Sequence, residues 1–241
     1  MNPQEAYWRE MGLWPRWVSR TSPPPQETLT ATATSEMPLV PPTTLAPETH
    51  SLATLRQEVA TCTRCDLHRQ RQQAVFGLIH PGSPWMFIGE GPGAEEDARG
   101  LPFVGAAGQL LDRMLAALGL ERGEQVSIAN AVKCRPPHNR TPSDSECQSC
   151  RPYLEAQIHA VKPRILVLLG RVAAHTLLGG KESLGVLRQG SHHYQEIPVV
   201  VTWHPAYLLR TPTEKASAWA DLCRARKLLT PTQPPIPNDG L

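Results

Sequence analysis

Four short apolar runs divide the middle of the chain, at 85–88, 126–129, 165–169 and 199–202. Each is too short for a buried helix and stops at a glycine or a polar residue, the pattern of a strand covered on both faces. Between and after them, apolar residues recur at helical spacing over 106–118, 144–160, 171–178 and 214–229, as in Leu110, Leu111, Met114, Leu115 and Leu118. Upstream, Ser51 is placed to cap a helix running through Leu55 to Ala60. Strands alternating with helices predict an α/β fold of three layers, α/β/α, around a short, mainly parallel four-stranded sheet. The four strands end at Gly89-Glu90, Asn130, Gly170 and His204, so three of the four ends carry a polar side chain. Ligands of open α/β sheets bind along that edge, which predicts one site there.

The segment from Trp85 to Leu115 is the densest in chemistry. A strand ends in Gly89-Glu90-Gly91-Pro92-Gly93, three acidic residues follow at Glu95, Glu96 and Asp97, and then an apolar patch spans Leu101 to Gly105. Gly89-x-Gly91-x-x-Ala94 formally fits a relaxed dinucleotide fingerprint. That fingerprint needs a helix N-terminus facing a pyrophosphate. The acidic triplet would repel phosphate, and Gly100 and Pro102 are expected to interrupt a helix, so nicotinamide binding is set aside.

Outside the patterned region the composition changes. Residues 1–20 hold three of the six tryptophans and read as a short aromatic segment; Tyr7, Met11 and Trp14 share one helical face before Pro15. Residues 21–50 are rich in Pro and Thr and nearly uncharged, the composition of a flexible linker, which leaves the N-terminal extension disordered. The folded domain is expected over 51–230, followed by a Pro-rich tail at 231–241. An aromatic segment on a long linker suits a motif that binds a partner protein through residues 1–20. A formal net charge of +2 and a pI near 8.3 permit nucleic-acid binding without requiring it. No run of eighteen apolar residues and no signal peptide is visible, so a monomeric cytoplasmic protein is expected, with no membrane partner.

Six cysteines in such a chain suggest metal chemistry or catalysis rather than disulfides. Cys62 and Cys65 form one CxxC pair, Cys147 and Cys150 another, and Cys134 sits in Lys-Cys-Arg-Pro-Pro. Two CxxC pairs fit a zinc knuckle, which would leave Cys134 out. An iron–sulfur cluster on four thiolates would use Cys134 and leave out one cysteine of the second pair. Spacing alone does not choose between them. Cys223 reads as a small buried hydrophobe.

Four ordered motifs resemble the iron–sulfur uracil-DNA glycosylases known as family 4: GEGPGAEED, LPFVGAAGQLLDRML, NAVKCRPPHNRTP and HPAYLLR. The resemblance runs from about Thr61 to Leu229. It implies hydrolysis of the N-glycosidic bond of uracil in DNA, leaving an abasic site for base excision repair, with uracil-containing DNA as substrate. The family's cysteine pattern is CxxC, a long gap, then two cysteines separated by fifteen residues. It therefore implies Cys62, Cys65, Cys134 and Cys150 as ligands of a 4Fe-4S cluster, with Cys147 left over.

The same resemblance assigns roles to side chains. Phe103 is implied to stack on the flipped uracil, and Asn130 to read its N3 and O4 edge, for which an amide offers both donor and acceptor. His204 is implied to donate to uracil O2 as charge builds on the leaving base. Leu208 resembles the wedge that fills the gap in the duplex, with Tyr207 and Arg210 beside it on the DNA. The family's usual water-activating Asp falls at Gly91, next to the substrate; Glu90 is the nearest carboxylate and takes that role here. His138 stands where the family usually has Gly. A covalently trapping relative uses a His near this region, but the basic insert that carries it is absent. Two readings stand beside the glycosylase: a non-enzymatic iron–sulfur DNA-binding protein, and that covalent trap.

Overall fold

The computed structural model describes residues 51–229. The readings made for residues 1–20, 21–50 and 231–241 lie outside the described residues. The described chain runs helix α1 (Leu52–Thr61), strand β1 (Trp85–Gly89), helices α2 (Ala94–Arg99) and α3 (Ala106–Ala117), strand β2 (Val126–Asn130) and helix α4 (Asp144–Val161). Strand β3 (Ile165–Leu169), helices α5 (Arg171–Leu178) and α6 (Leu184–Gln189), strands β4 (His192–Tyr194) and β5 (Ile197–Thr202), and helices α7 (Pro205–Arg210) and α8 (Lys215–Leu229) complete it.

The sheet order is β2-β1-β3-β5-β4. β1 pairs in parallel with β2 and β3, and β3 pairs in parallel with β5. Every residue of β1, β2 and β3 is buried, which is why these strands are continuous apolar runs rather than alternations. The two-residue period is still visible in packing. Trp85 and Phe87 join Leu111, Leu115, Leu222 and Ala225 beneath α3 and α8, whereas Met86 and Ile88 join Leu154, Ile158, Ala173 and Leu177 beneath α4 and α5. A third cluster gathers Leu55, Val59, Leu67, Phe76 and Tyr153 with Cys134, Cys147 and Cys150.

The three-layer α/β/α arrangement is the one expected, but the sheet has five strands rather than four. The added strand β4 runs antiparallel to β5 at the sheet edge. Its sequence is His-His-Tyr, partly exposed throughout, so no apolar run announces it. Three six-residue helices also escaped the pattern: α2, α6 and α7. A turn and a half is too short to display a 3.6-residue period. A short helix, α2, does open at Ala94, and it is interrupted at Gly100, as expected there, in the left-handed conformation. The expected N-cap is present: Ser51 Oγ accepts from the Thr54 N–H at 3.1 Å.

Candidate active site

The carboxyl ends of β1, β2, β3 and β5 open into a cleft of about 790 Å³. It collects Glu90, Gly91, Phe103, Asn130, His204, Tyr207 and Arg210 from positions far apart in sequence. Leu208 is not among its lining residues. It is buried, 1 % exposed, on the inner side of α7, so its side chain is not presented to a duplex, contrary to the role implied for it. The neighbouring Leu209 is 45 % exposed. One helical step of about 100° separates adjacent side chains, and the sequence Leu208-Leu209 alone cannot say which faces inward.

Phe103 is held in an unfavourable backbone conformation, with φ at +53°. The residues that impose it were not assigned a role from the sequence. Glu96 accepts at one carboxylate oxygen from the Val104 and Gly105 N–H groups, at 2.9 and 3.0 Å, and at the other from the Gly93 N–H at 3.1 Å. Arg122 donates to the carbonyls of Pro102 and Phe103, at 3.0 and 2.7 Å, and is itself paired with Asp112. Asp97 is buried and accepts from the Gln72 N–H. The acidic triplet therefore orders a loop: two of its members bind backbone N–H groups. A carboxylate followed by glycines and an apolar loop is a faint signal for this use, and the long-range Arg122 contact leaves none.

Two glycines are required by close approach. A Cβ on Gly89 would lie 2.5 Å from Asn130 Oδ1 and 2.6 Å from Phe103 Cζ, so the amide and the ring converge over bare backbone. A Cβ on Gly91 would meet Val132 Cγ2 at 2.8 Å, which explains why the loop passes there without a side chain.

Asn130 terminates β2 and is 3 % exposed. Its Oδ1 is buried and has no hydrogen-bond partner. Buried acceptors in native proteins are almost always paired, so an unpaired one lining a cleft marks a place for a donor from a ligand. Phe103 and His204 lie beside it, with ring centroids 5.7 Å apart and planes inclined by 29°.

His204 caps α7: its Nδ1 accepts from the Ala206 N–H at 3.1 Å. With Nδ1 an acceptor, the proton of the neutral ring sits on Nε2. The residue is partly open to the cleft, yet its ring is enclosed by protein. Burial and then the positive charge of Arg210 pull its pKa down to about 4, opposed by Glu96. The imidazole is thus a neutral Nε2–H donor at physiological pH.

Glu90 is half-buried, and burial raises its pKa above the ordinary carboxylate range, with Arg171 opposing. Tyr207 stacks on Trp203 with ring centroids 4.6 Å apart, and the Arg188 guanidinium lies 4.8 Å above the Trp203 ring. Trp203, Tyr207 and Arg210 together form one wall of the cleft. His138, exposed and at φ +53°, is not among the lining residues; the Gly expected at its place would suit that left-handed backbone.

A second cavity lies beneath the site, between α1, the loop after β2 and α4. Cys62, Cys65, Cys134 and Cys150 all line it, and Cys147 does not. Cys147 is buried beside Thr176, which lowers its pKa against the larger effect of burial. Arg71 donates to Cys134 Sγ at 2.9 Å, and the Lys133 N–H to Cys150 Sγ at 3.3 Å. Burial pushes the Cys150 thiol up to about 11, with Lys133 opposing, and raises Cys134 and Cys65 as well. Among the described residues no three His, Cys, Asp or Glu side chains are close enough together to hold a single metal ion.

Comparison with known proteins agrees with this geometry. The family described as the Uracil DNA glycosylase superfamily matches residues 76–223. Its type-4 members include similar proteins. The type-4 uracil-DNA glycosylase of Pyrobaculum aerophilum is 43 % identical over 179 residues, covering 71 % of this chain and 91 % of that protein. That of Archaeoglobus fulgidus is 37 % identical over 194 residues, covering 77 % and 97 %. That of Sulfurisphaera tokodaii is 41 % identical over 191 residues, covering 75 % and 86 %. The chain belongs to the uracil-DNA glycosylase superfamily, among its type-4 members.

The depressed pKa of His204 carries a pH prediction. A folded value of about 4 against an ordinary 6.5 means that the unfolded chain takes up the proton first, so stability falls as pH drops through 6.5 and the full penalty is reached below about 4. The neutral donor itself persists throughout that window. Single-turnover excision by Glu90→Gln should stay level from pH 8 to about 5. A decline centred on 6.5 in that variant would show that His204 titrates normally.

Proposed function

We propose that the cleft performs uracil excision as follows. The protein is a uracil-DNA glycosylase: it hydrolyses the bond between deoxyribose C1′ and uracil N1, releasing uracil and leaving an abasic site. The base must first leave the helix, since its reacting atoms are inaccessible within the stack. The observation that carries the assignment of the pocket is the unpaired, buried Oδ1 of Asn130 beside Phe103 above Gly89. Uracil N3–H is a donor of the right kind for that oxygen, whereas N3 of cytosine has no proton and would leave it unpaired. A missing partner at such an acceptor costs about 1–3 kcal/mol, which favours uracil.

As the C1′–N1 bond breaks, its electron pair passes into the uracil ring and charge accumulates on O2. The Nε2–H of neutral His204 donates there; a preorganised donor of this sort lowers the barrier by roughly 3–4 kcal/mol. Positive charge develops on the sugar, and the Glu90 carboxylate stabilises it. Water adds to C1′ and gives up its proton to Glu90 or to solvent. With an oxocarbenium-like transition state the water needs little activation, consistent with Gly91 standing where an Asp is usual. Tyr207 and Arg210 bind the DNA at the cleft wall, and the exposed Leu209 is better placed than Leu208 to enter the duplex.

Four cysteines lining one cavity, with Cys147 apart from it, fit a four-iron, four-sulfur cluster held by four thiolates. Cys62, Cys65, Cys134 and Cys150 would hold it. When bound, such a cluster supplies a rigid cross-link between α1, the loop after Asn130 and α4, as well as an electron-transfer centre. Arg71 and Lys133 supply the cationic groups that an anionic centre needs.

The protein works as a monomer in the cytosol. Residues 1–20 recruit it to another DNA-repair or replication protein, a reading supported by their aromatic sequence and the Pro/Thr-rich stretch that follows. Among the described residues no helix is long and apolar enough to cross a membrane.

His204→Ala and Asn130→Ala should each lose most uracil excision while retaining the wild-type melting temperature within a few degrees. Unchanged single-turnover rates in both would contradict the site. Cys62, Cys65, Cys134 or Cys150→Ser should each lose iron and broad absorption near roughly 400 nm, whereas Cys147→Ser should retain both. Stoichiometric zinc in the wild type, or equal damage from Cys147→Ser, would favour a zinc centre. Removing residues 1–50 should leave excision on oligonucleotides unchanged and abolish capture of a repair protein; a drop in excision of more than about tenfold, roughly 1.4 kcal/mol, would place that segment in the catalytic fold.

A further inference from the structure

Lys133 stands between the two cavities. Among the described residues it is the only fully buried lysine or arginine, at 1 % exposure. Buried ammonium groups are rare because burying the charge is costly unless it is compensated. A methionine or leucine would fill the same space without that cost, so packing alone does not account for the residue.

Its contacts point in two directions. The backbone N–H donates to Cys150 Sγ at 3.3 Å, and the next residue is Cys134. The ammonium reaches the other way, donating to the backbone carbonyl of Asn130 at 2.8 Å and to Gln157 Oε1 at 2.6 Å. Gln157 is buried too, and its Nε2 donates to the Phe76 carbonyl at 2.7 Å. Both acceptors of the ammonium are neutral. Lys133 also lines the cavity that holds Cys134 and Cys150, so a bound anionic centre there would lie beside it. One residue therefore joins the cysteines of the lower cavity, through its backbone, to the strand end that carries Asn130, through its side chain.

We propose that Lys133 is a positioning residue that couples the four-cysteine centre to Asn130, with the anionic centre balancing the buried ammonium and the ammonium fixing the carboxyl end of β2. The proposal rests on the iron–sulfur reading of the four cysteines. Loss of the centre would leave the ammonium uncompensated, and its release would free the Asn130 backbone and misplace Oδ1 in the uracil pocket.

The test compares the full-length wild type with Lys133→Met and Gln157→Leu. Iron and sulfide content, the visible spectrum, the reduction potential of the centre and the Kd for free uracil by NMR titration are measured on each. Lys133→Met should keep its iron, because no ligand is changed. Its potential should move to a more negative value, since a cation beside the centre favours the reduced form. Its Kd for uracil should rise about tenfold, the effect of one charge-assisted hydrogen bond acting through its neighbour. Full iron with wild-type uracil affinity overturns the coupling, even if the potential moves. If Lys133→Met does not fold, Gln157→Leu decides: it retains the cation, so iron and potential should match the wild type while uracil Kd rises about threefold, half of the ammonium's tether being lost. Wild-type affinity in Gln157→Leu overturns the proposal. Wild-type protein without iron or sulfide overturns the cluster reading itself, and this inference with it.

Discussion

A buried carbonyl oxygen without a donor costs a protein about 1–3 kcal/mol, and Asn130 Oδ1 is such an oxygen. Much of the structure around it is arranged so that this penalty cannot be relieved from within. Asn130 is fixed at the end of β2 by parallel pairing with β1, in register with Gly89. Gly89 lacks the side chain that would otherwise fill the gap. Phe103 covers it from a strained loop held by Glu96 and Arg122. The Lys133 ammonium donates to the Asn130 backbone carbonyl, and Lys133 is anchored in turn at the cysteine cavity. The oxygen is withheld from protein donors and left for a ligand.

The electrostatics follow the same logic. A charged histidine beside the pocket would bind an anion strongly even before reaction. His204 is instead kept neutral by enclosure and by Arg210, and the helix it caps fixes which nitrogen carries the proton. In the proposed mechanism the donor gains strength only as charge appears on the base, which is the differential binding that accelerates a chemical step. Glu90, less exposed than a surface carboxylate, lines the same cleft near Arg171. Two carboxylates of α2, Glu96 and Asp97, accept from backbone N–H groups and so order the neighbouring loops.

The fold was largely legible because its three central strands are buried on both faces and its long helices are amphipathic. The edge strand β4 was not, since His-His-Tyr has no apolar pattern. Asn130 and His204 were read as strand-end residues, and the structure brings both to the same cleft. The site was illegible where position depends on helical phase. Leu208 and Leu209 are adjacent and identical in type, and only the packing of α7 shows that the first is inside. Arg122 was silent because its hydrogen bonds reach nineteen and twenty residues back along the chain, to Phe103 and Pro102. The choice between Cys147 and Cys150 was open from spacing; three-dimensional placement puts Cys150 on the cavity and Cys147 against Thr176.

The central claim is that Asn130 Oδ1 is left unpaired for the N3–H of uracil. A crystal structure of the protein with free uracil tests it most directly. The account predicts the ring lying against the face of Phe103, with N3 about 2.9 Å from Asn130 Oδ1 and O2 within hydrogen-bond reach of His204 Nε2. Uracil bound elsewhere in the cleft, or Oδ1 turned to a protein donor while uracil is bound, would contradict it.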